Sequence, residues 1–165
     1  MALALLTGFP GFIGKRLAAK LLADRPDLRI AALVEPRMMD AAQEAAAGTE
    51  GMELVAGDIA QRRLGLDDAT YDRLTSEVSH VFHLAAIYNL AVPLAVATRV
   101  NVGGTGNVLE LCTAADGLER LAYVSTAYVA GTRTGIGTST SLSWASASRT
   151  TMNRRSSRPR CGCAS

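Results

Sequence analysis

A chain of 165 residues, 48% of them hydrophobic, is long enough for one globular domain with a real core and too short for two ordinary ones. Its net charge of +2 is uneven: residues 1–132 hold all fifteen acids against eleven Lys and Arg, whereas residues 133–165 hold six Arg and no acid. The tail has no Lys and one aromatic residue, which argues against a nucleic-acid arm, and three cysteines (Cys112, Cys161, Cys163) are too few and too badly spaced for a disulfide framework or a zinc site.

"MALALL" has no basic flank, and Gly8, Pro10 and Gly11 interrupt it well short of a signal-peptide core or a membrane span. A cytoplasmic protein is expected. "LALLT" (3–7) reads as a first strand, and Ile13, Leu17 and Leu21, with Ala18 and Leu22, give the next segment an apolar face at helical spacing. Between them "TGFPGFIG" sets Gly8, Gly11 and Gly14 in a G-x-x-G-x-x-G spacing. A strand before and a helix after are the setting of a dinucleotide fingerprint. The first two glycines would admit backbone N–H groups to a pyrophosphate, and the third would let the helix lie close on the strand.

"RIAALVE" (29–35) is a second strand. Glu35 at its end would accept from an adenosine ribose and repel a 2′-phosphate, whereas Arg37 could clamp one, so NAD and NADP both stay open. An Ala-rich helix (39–47) leads to a third strand, "MELVAGD" (52–58), closed by Asp58, which either accepts from the adenine amino group or is a turn Asp. "HVFHLAA" (80–86) is a fourth strand, whose small Ala85 and Ala86 would let a cofactor lie against its end. Alternation along that strand gives no reason to aim His83 at a cleft, so it reads as a packed core histidine. Pro93 suits the first turn of a long helix running through Val96, Val100, Val108 and Leu111, with Asn101 inside it, and "RLAYVST" (120–126) makes the fifth strand. Strand, crossover helix and parallel strand in alternation predict an α/β, doubly wound, Rossmann-like parallel sheet with its site at the carboxyl ends of the strands.

In this order and spacing, "TGFPGFIG", "GDI", "FHLAA", "NVGGTGN" and "YVSTAYVAG" resemble the extended branch of the short-chain dehydrogenase/reductase superfamily. The similarity is closest to the fatty-acyl and thioester reductase group, with its "male sterility" type of NAD(P)-binding domain, and covers residues 3 to about 135. The resemblance implies that Gly8, Phe9, Gly11, Phe12, Ile13 and Gly14 line the pyrophosphate, Asp58 and Ile59 the adenine, and Ala85 and Ala86 the nicotinamide side. It also implies that Asn101 is the helix Asn of the family, that Thr126 is the catalytic hydroxyl, with Ser125 its neighbour, and that the substrate is an acyl thioester or another carbonyl compound. The hydroxyl would hydrogen-bond the carbonyl oxygen where negative charge develops.

The same family needs a Tyr with a Lys four residues on, so that both lie on one helical face and the ammonium lowers the phenol pKa. Here the only lysines are Lys15 and Lys20, and the last tyrosine, Tyr128, has Thr132 at the fourth position. No Lys follows Lys20 and no acid follows Glu119, and apolar periodicity ceases after Gly135. Residues 138–159 can be back-translated so that the frame two bases later reads EHELELGQRFKNHYEQTKFEA, which contains a Y-x-x-x-K. The reading is therefore residues 1–135 as a dinucleotide-binding domain, incomplete on its C-terminal side, and residues 136–165 as an out-of-frame, disordered tail that leaves the fifth strand as an uncovered edge. Two alternatives stay open: a cofactor sensor that never had the Tyr/Lys pair, and an epimerase or dehydratase of nucleotide sugars.

Overall fold

The computed structural model describes residues 2–89 and 91–125. Thr126 and the tail 136–165 lie outside the described residues, so the expectations placed on them are not addressed by the fold. Five strands, β1 (Ala2–Thr7), β2 (Leu28–Val34), β3 (Met52–Ala56), β4 (Val78–His83) and β5 (Arg120–Tyr123), form one parallel sheet in the order β3-β2-β1-β4-β5. That order is the doubly wound arrangement: the chain leaves β1 toward β2 on one side and returns to β4 on the other, opening a crevice beyond the carboxyl ends of β1 and β4.

Both faces of the inner strands are covered, so these strands read as continuous apolar runs. Leu3, Leu5, Ala31 and Leu33 join Val78, Val81, Val108 and Leu111 in the core on one face. The alternate residues Ala4, Leu6, Ile30, Ala32 and Val34 meet Phe9, Ala18 and Ala42 on the other. The second face is closed by α1 (Phe12–Asp24) and α2 (Met39–Ala46), the first by α3 (Asp68–Glu77) and α5 (Thr105–Ala114). Asp67 starts α3 by accepting from the Thr70 amide at 2.9 Å.

Two departures from the sequence reading carry meaning. Strands β2 to β4 each stop one to three residues early, at Val34, Ala56 and His83, because Glu35 and Asp58 enter turns and the amides of Leu84 and Ala85 bond to the Thr7 hydroxyl. The long helix is also not uniform. Pro93 stands just before α4 (Leu94–Thr98), and Arg99–Gly104 is π-helical before α5 begins. Such a widening is invisible to a 3.6-residue pattern and is frequent at functional sites.

No helix among the described residues is long and apolar enough to cross a membrane. Leu111, fully buried on α5, anchors that helix to the sheet. Leu111→Ala is expected to lower stability by about 2–5 kcal/mol, read from urea unfolding; a loss below about 1 kcal/mol would mean that α5 is not held by this contact.

Candidate functional site

The turn after β1 is organised around one carbonyl. Gly8 has φ +89, a left-handed value that favours glycine, and its C=O accepts from the Gly11 amide at 3.0 Å. A Cβ built on Gly11 would stand 2.7 Å from that same oxygen, and one on Gly14 would stand 2.6 Å from it. On Gly8 itself a Cβ would meet the Ala85 nitrogen at 2.9 Å. The three glycines therefore let the turn fold onto itself and the tip of β1 approach the end of β4. Gly14 serves packing of α1 on the turn, rather than on the strand as its position suggested.

The N-terminus of α1 has no side-chain cap and no acid in its first turn, so no carboxylate there opposes the positive end of the helix dipole. Phe12 and Ile13 are exposed there, and the Arg16 guanidinium lies 4.5 Å from the Phe12 ring centroid. Phe9, by contrast, is buried in the core, so only its backbone can face a ligand.

On the β2–β3 side, Glu35 and Arg37 pair with each other: the Arg37 Nε lies 2.7 Å from the Glu35 carboxylate. Asp58 closes a turn, accepting from the Ala60 amide at 2.8 Å and from the Gln61 side chain at 3.3 Å. Ile59 is buried, and its side chain packs where a Cβ on Gly104 would sit, 2.8 Å from Ile59 Cδ1. The turn continues through Arg63 (φ 51), Leu64 (φ 59) and Gly65 (φ 67), three successive left-handed residues. This costly conformation for non-glycine residues is offset by full burial of Leu64 and by Arg63 stacking 4.0 Å over the Tyr71 ring. Asn107 of α5 clamps the same turn, donating to the carbonyls of Ile59 at 2.7 Å and Gln61 at 2.8 Å.

On the β4 side, Thr7 is fully buried, and its hydroxyl accepts from the amides of Leu84 at 3.2 Å and Ala85 at 3.1 Å. The same oxygen lies 2.7 Å from His83 Nδ1, and His83 Nε2 lies 3.1 Å from the Thr105 hydroxyl. Thr105 donates to the Asn101 carbonyl at 2.9 Å. The Asn101 amide forms a two-bond clasp with Ile87, accepting from its N–H and donating to its C=O, both at 2.8 Å. His83 is buried, as the strand alternation implied, and burial pushes its pKa down to about 4. Its ring stacks on Tyr123 of β5 at 5.4 Å.

The structure thus brings Gly8, Gly11, Ala85 and Asn101 to one crevice, with Ala86 exposed on the loop that Asn101 holds. Ser125 follows β5 on the same side of the sheet ends and is exposed. Sequence reasoning missed Thr7, Thr105 and Asn107 as positioning groups. Apart from the Asn101 carbonyl that Thr105 reaches within its own helix, their partners lie 22 to 78 residues away, and an isolated Thr or Asn carries no sign of them. Among the described residues no cluster of His, Cys, Asp and Glu could hold a metal ion.

The family model described as male sterility protein, an NAD-binding family, matches residues 6–157. That match runs beyond residue 135, where the motif resemblance stopped. The large subunit of L-2-aminoadipate reductase of Penicillium chrysogenum is 31% identical over 73% of this chain and 9% of its own length. A carboxylic acid reductase of Mycobacterium tuberculosis is 32% identical over 76% of this chain and 12% of its own. The solved terminal R domain from the myxalamid PKS-NRPS biosynthetic pathway superposes with a TM-score of 0.68 at 31% identity, over 79% of this chain and 36% of that one. The chain thus spans a small part of these curated relatives and about a third of that domain. Strand order, glycine turn and family match agree: the chain belongs to the NAD(P)-binding male sterility family, within the extended short-chain dehydrogenase/reductase fold.

Proposed function

We propose that the chain is the dinucleotide-binding part of a reductase whose reaction is hydride transfer between NAD or NADP and an acyl thioester or other carbonyl compound. One observation carries this reading: at the β1/β4 crevice Gly11 and Gly14 leave room for the Gly8 carbonyl and Gly8 leaves room for the end of β4, where α1 begins with no acid in its first turn. A Cβ at any of the three would meet backbone atoms at 2.6–2.9 Å, so only glycine lets the turn close this tightly and bring its backbone to the crevice. The pyrophosphate would lie over the amides of Phe12 and Ile13, with the nicotinamide toward Ala85 and Ala86. Glu35 and Arg37 would meet the ribose end, and the Asp58–Ile59 turn the adenine.

The bound dinucleotide supplies or accepts the hydride; the chain's own residues bind, orient and stabilise charge. Thr126, with Ser125 beside it, would donate a hydrogen bond to the carbonyl oxygen as negative charge grows there. No Tyr/Lys pair follows to deliver a proton, because both lysines lie in α1. The chain as it stands should bind NAD(P) weakly at best and fail to turn over. Gly8→Ala should weaken NADPH binding by tenfold or more, on the order of 1.4 kcal/mol, in fluorescence titration. Unchanged binding would remove Gly8 from the binding turn, and NADPH oxidation by purified wild-type chain would refute the missing-acid account.

The Glu35–Arg37 pair bears on cofactor choice. Glu35→Gln removes the charge that repels a 2′-phosphate and frees the guanidinium, so the affinity for NADP should rise several-fold relative to NAD, on the order of 1 kcal/mol. An unaltered ratio in paired calorimetric titrations would place the ribose end elsewhere.

The domain reading is part of the same proposal: residues 1–135 form the binding unit, and 136–165 are translated out of frame. The shifted Y-x-x-x-K at the expected distance from Thr126 supports it; the family match reaching residue 157 weighs against it. Sequencing the gene through codons 130–165 decides. An open shifted frame past YEQTK is the expected result, and a stop after Ser165 with no sensible second frame would revive the sensor alternative.

A further inference from the structure

Hydrogen-bond chemistry leaves His83 a single tautomer, and both ends of its chain point to it. The Thr7 hydroxyl already accepts from two amides, those of Leu84 and Ala85, so its one proton goes to His83 Nδ1, which must be bare. At the other end the Asn101 carbonyl can only accept, so the Thr105 hydroxyl donates to it and must itself accept from His83 Nε2–H. The result is an oriented chain from the tip of β1, through the buried imidazole of β4, to the π-helical segment. There the Asn101 side chain grips Ile87 at both backbone groups.

We propose that His83 is a positioning residue of the dinucleotide crevice: as a neutral, Nε2-protonated imidazole it ties the Leu84–Ile87 loop to the Asn101 clasp and so sets the surface on which the cofactor's nicotinamide end rests. The link to the cofactor rests on the dinucleotide-binding reading; the chain of hydrogen bonds does not. Each link has a stated direction, so protonating the ring would set Nδ1–H against the Thr7 proton. Burial, which holds the pKa near 4, keeps the ring neutral in the working range. Tyr123, stacked on the ring, covers it from the β5 side.

The test uses the full chain, which has only two histidines, His80 and His83, so imidazole signals in long-range proton–nitrogen spectra are separable. With no cofactor present, His83 should show a bare Nδ1 and a protonated Nε2. That state should persist as the pH falls through the ordinary value of about 6.5. An Nδ1–H tautomer, or titration near that ordinary value, overturns the proposal. Thr105→Val keeps the side-chain shape and removes one link. It should speed amide exchange at Ile87 roughly tenfold while Leu5 and Ala31 in the sheet stay protected, and weaken NADPH binding by a similar factor. Thr105→Ser, which keeps the hydroxyl, should restore both. Unchanged exchange at Ile87, or faster exchange with unchanged NADPH affinity, overturns it. Should wild-type chain bind no dinucleotide while the tautomer and the exchange behave as expected, the binding reading fails and the hydrogen-bond chain stands.

Discussion

Two parallel strands whose continuations leave on opposite sides must expose backbone groups at their parting ends. In this chain the hydroxyl of Thr7 takes up those of β4. It accepts from Leu84 and Ala85, just beyond the end of β4, while the glycine at the next position lets the β1 turn come within van der Waals reach of the same segment. Without this junction the part-buried amides would lack partners, a cost of at most about 1–3 kcal/mol each. The crevice would also lose its floor. The glycine turn, the β4 loop and the helix that follows are all placed relative to that junction.

The helix beyond β4 completes the frame by pinning two loops at once. Asn101 grips the loop after β4, and Asn107 grips the turn after β3. Leu111 and Val108 hold the same helix on the sheet, so packing energy in the core is transmitted to the rim as position. The π-helical stretch between Arg99 and Gly104 sets the Asn101 carbonyl where the Thr105 hydroxyl reaches it, and Gly104 makes room for Ile59. Backbone strain at Arg63 and Leu64 belongs to the same rim, held by a buried leucine and a stacked guanidinium.

Much of this was legible in the sequence, for physical reasons that can be named. Apolar runs of five to seven residues separated by amphipathic stretches announce strands buried on both faces, and the spacing Gly8, Gly11, Gly14 announces a turn that no side chain could share. What escaped was of two kinds. Strand ends were read too long, because Asp58 and Ala85 look like strand residues until their turn partners are known. Side-chain direction was the other: Phe9 and Ile59 sit inside motifs that suggest ligand contact, yet both are buried, which only the folded packing decides. Thr7 and Thr105 gave no local signal, since each is placed by His83, a partner remote along the chain.

The β1/β4 crevice is the proposed seat of the dinucleotide, with its floor set by the Thr7 junction and its rim by the two asparagine clamps. Amide hydrogen exchange of the full chain, with and without saturating NADPH, examines that most directly. Protection gained at Gly11 to Gly14 and at Leu84 to Ile87, with the far ends of the strands unchanged, is the predicted outcome. No change in exchange at either segment, or protection gathered at the opposite edge of the sheet, would contradict it.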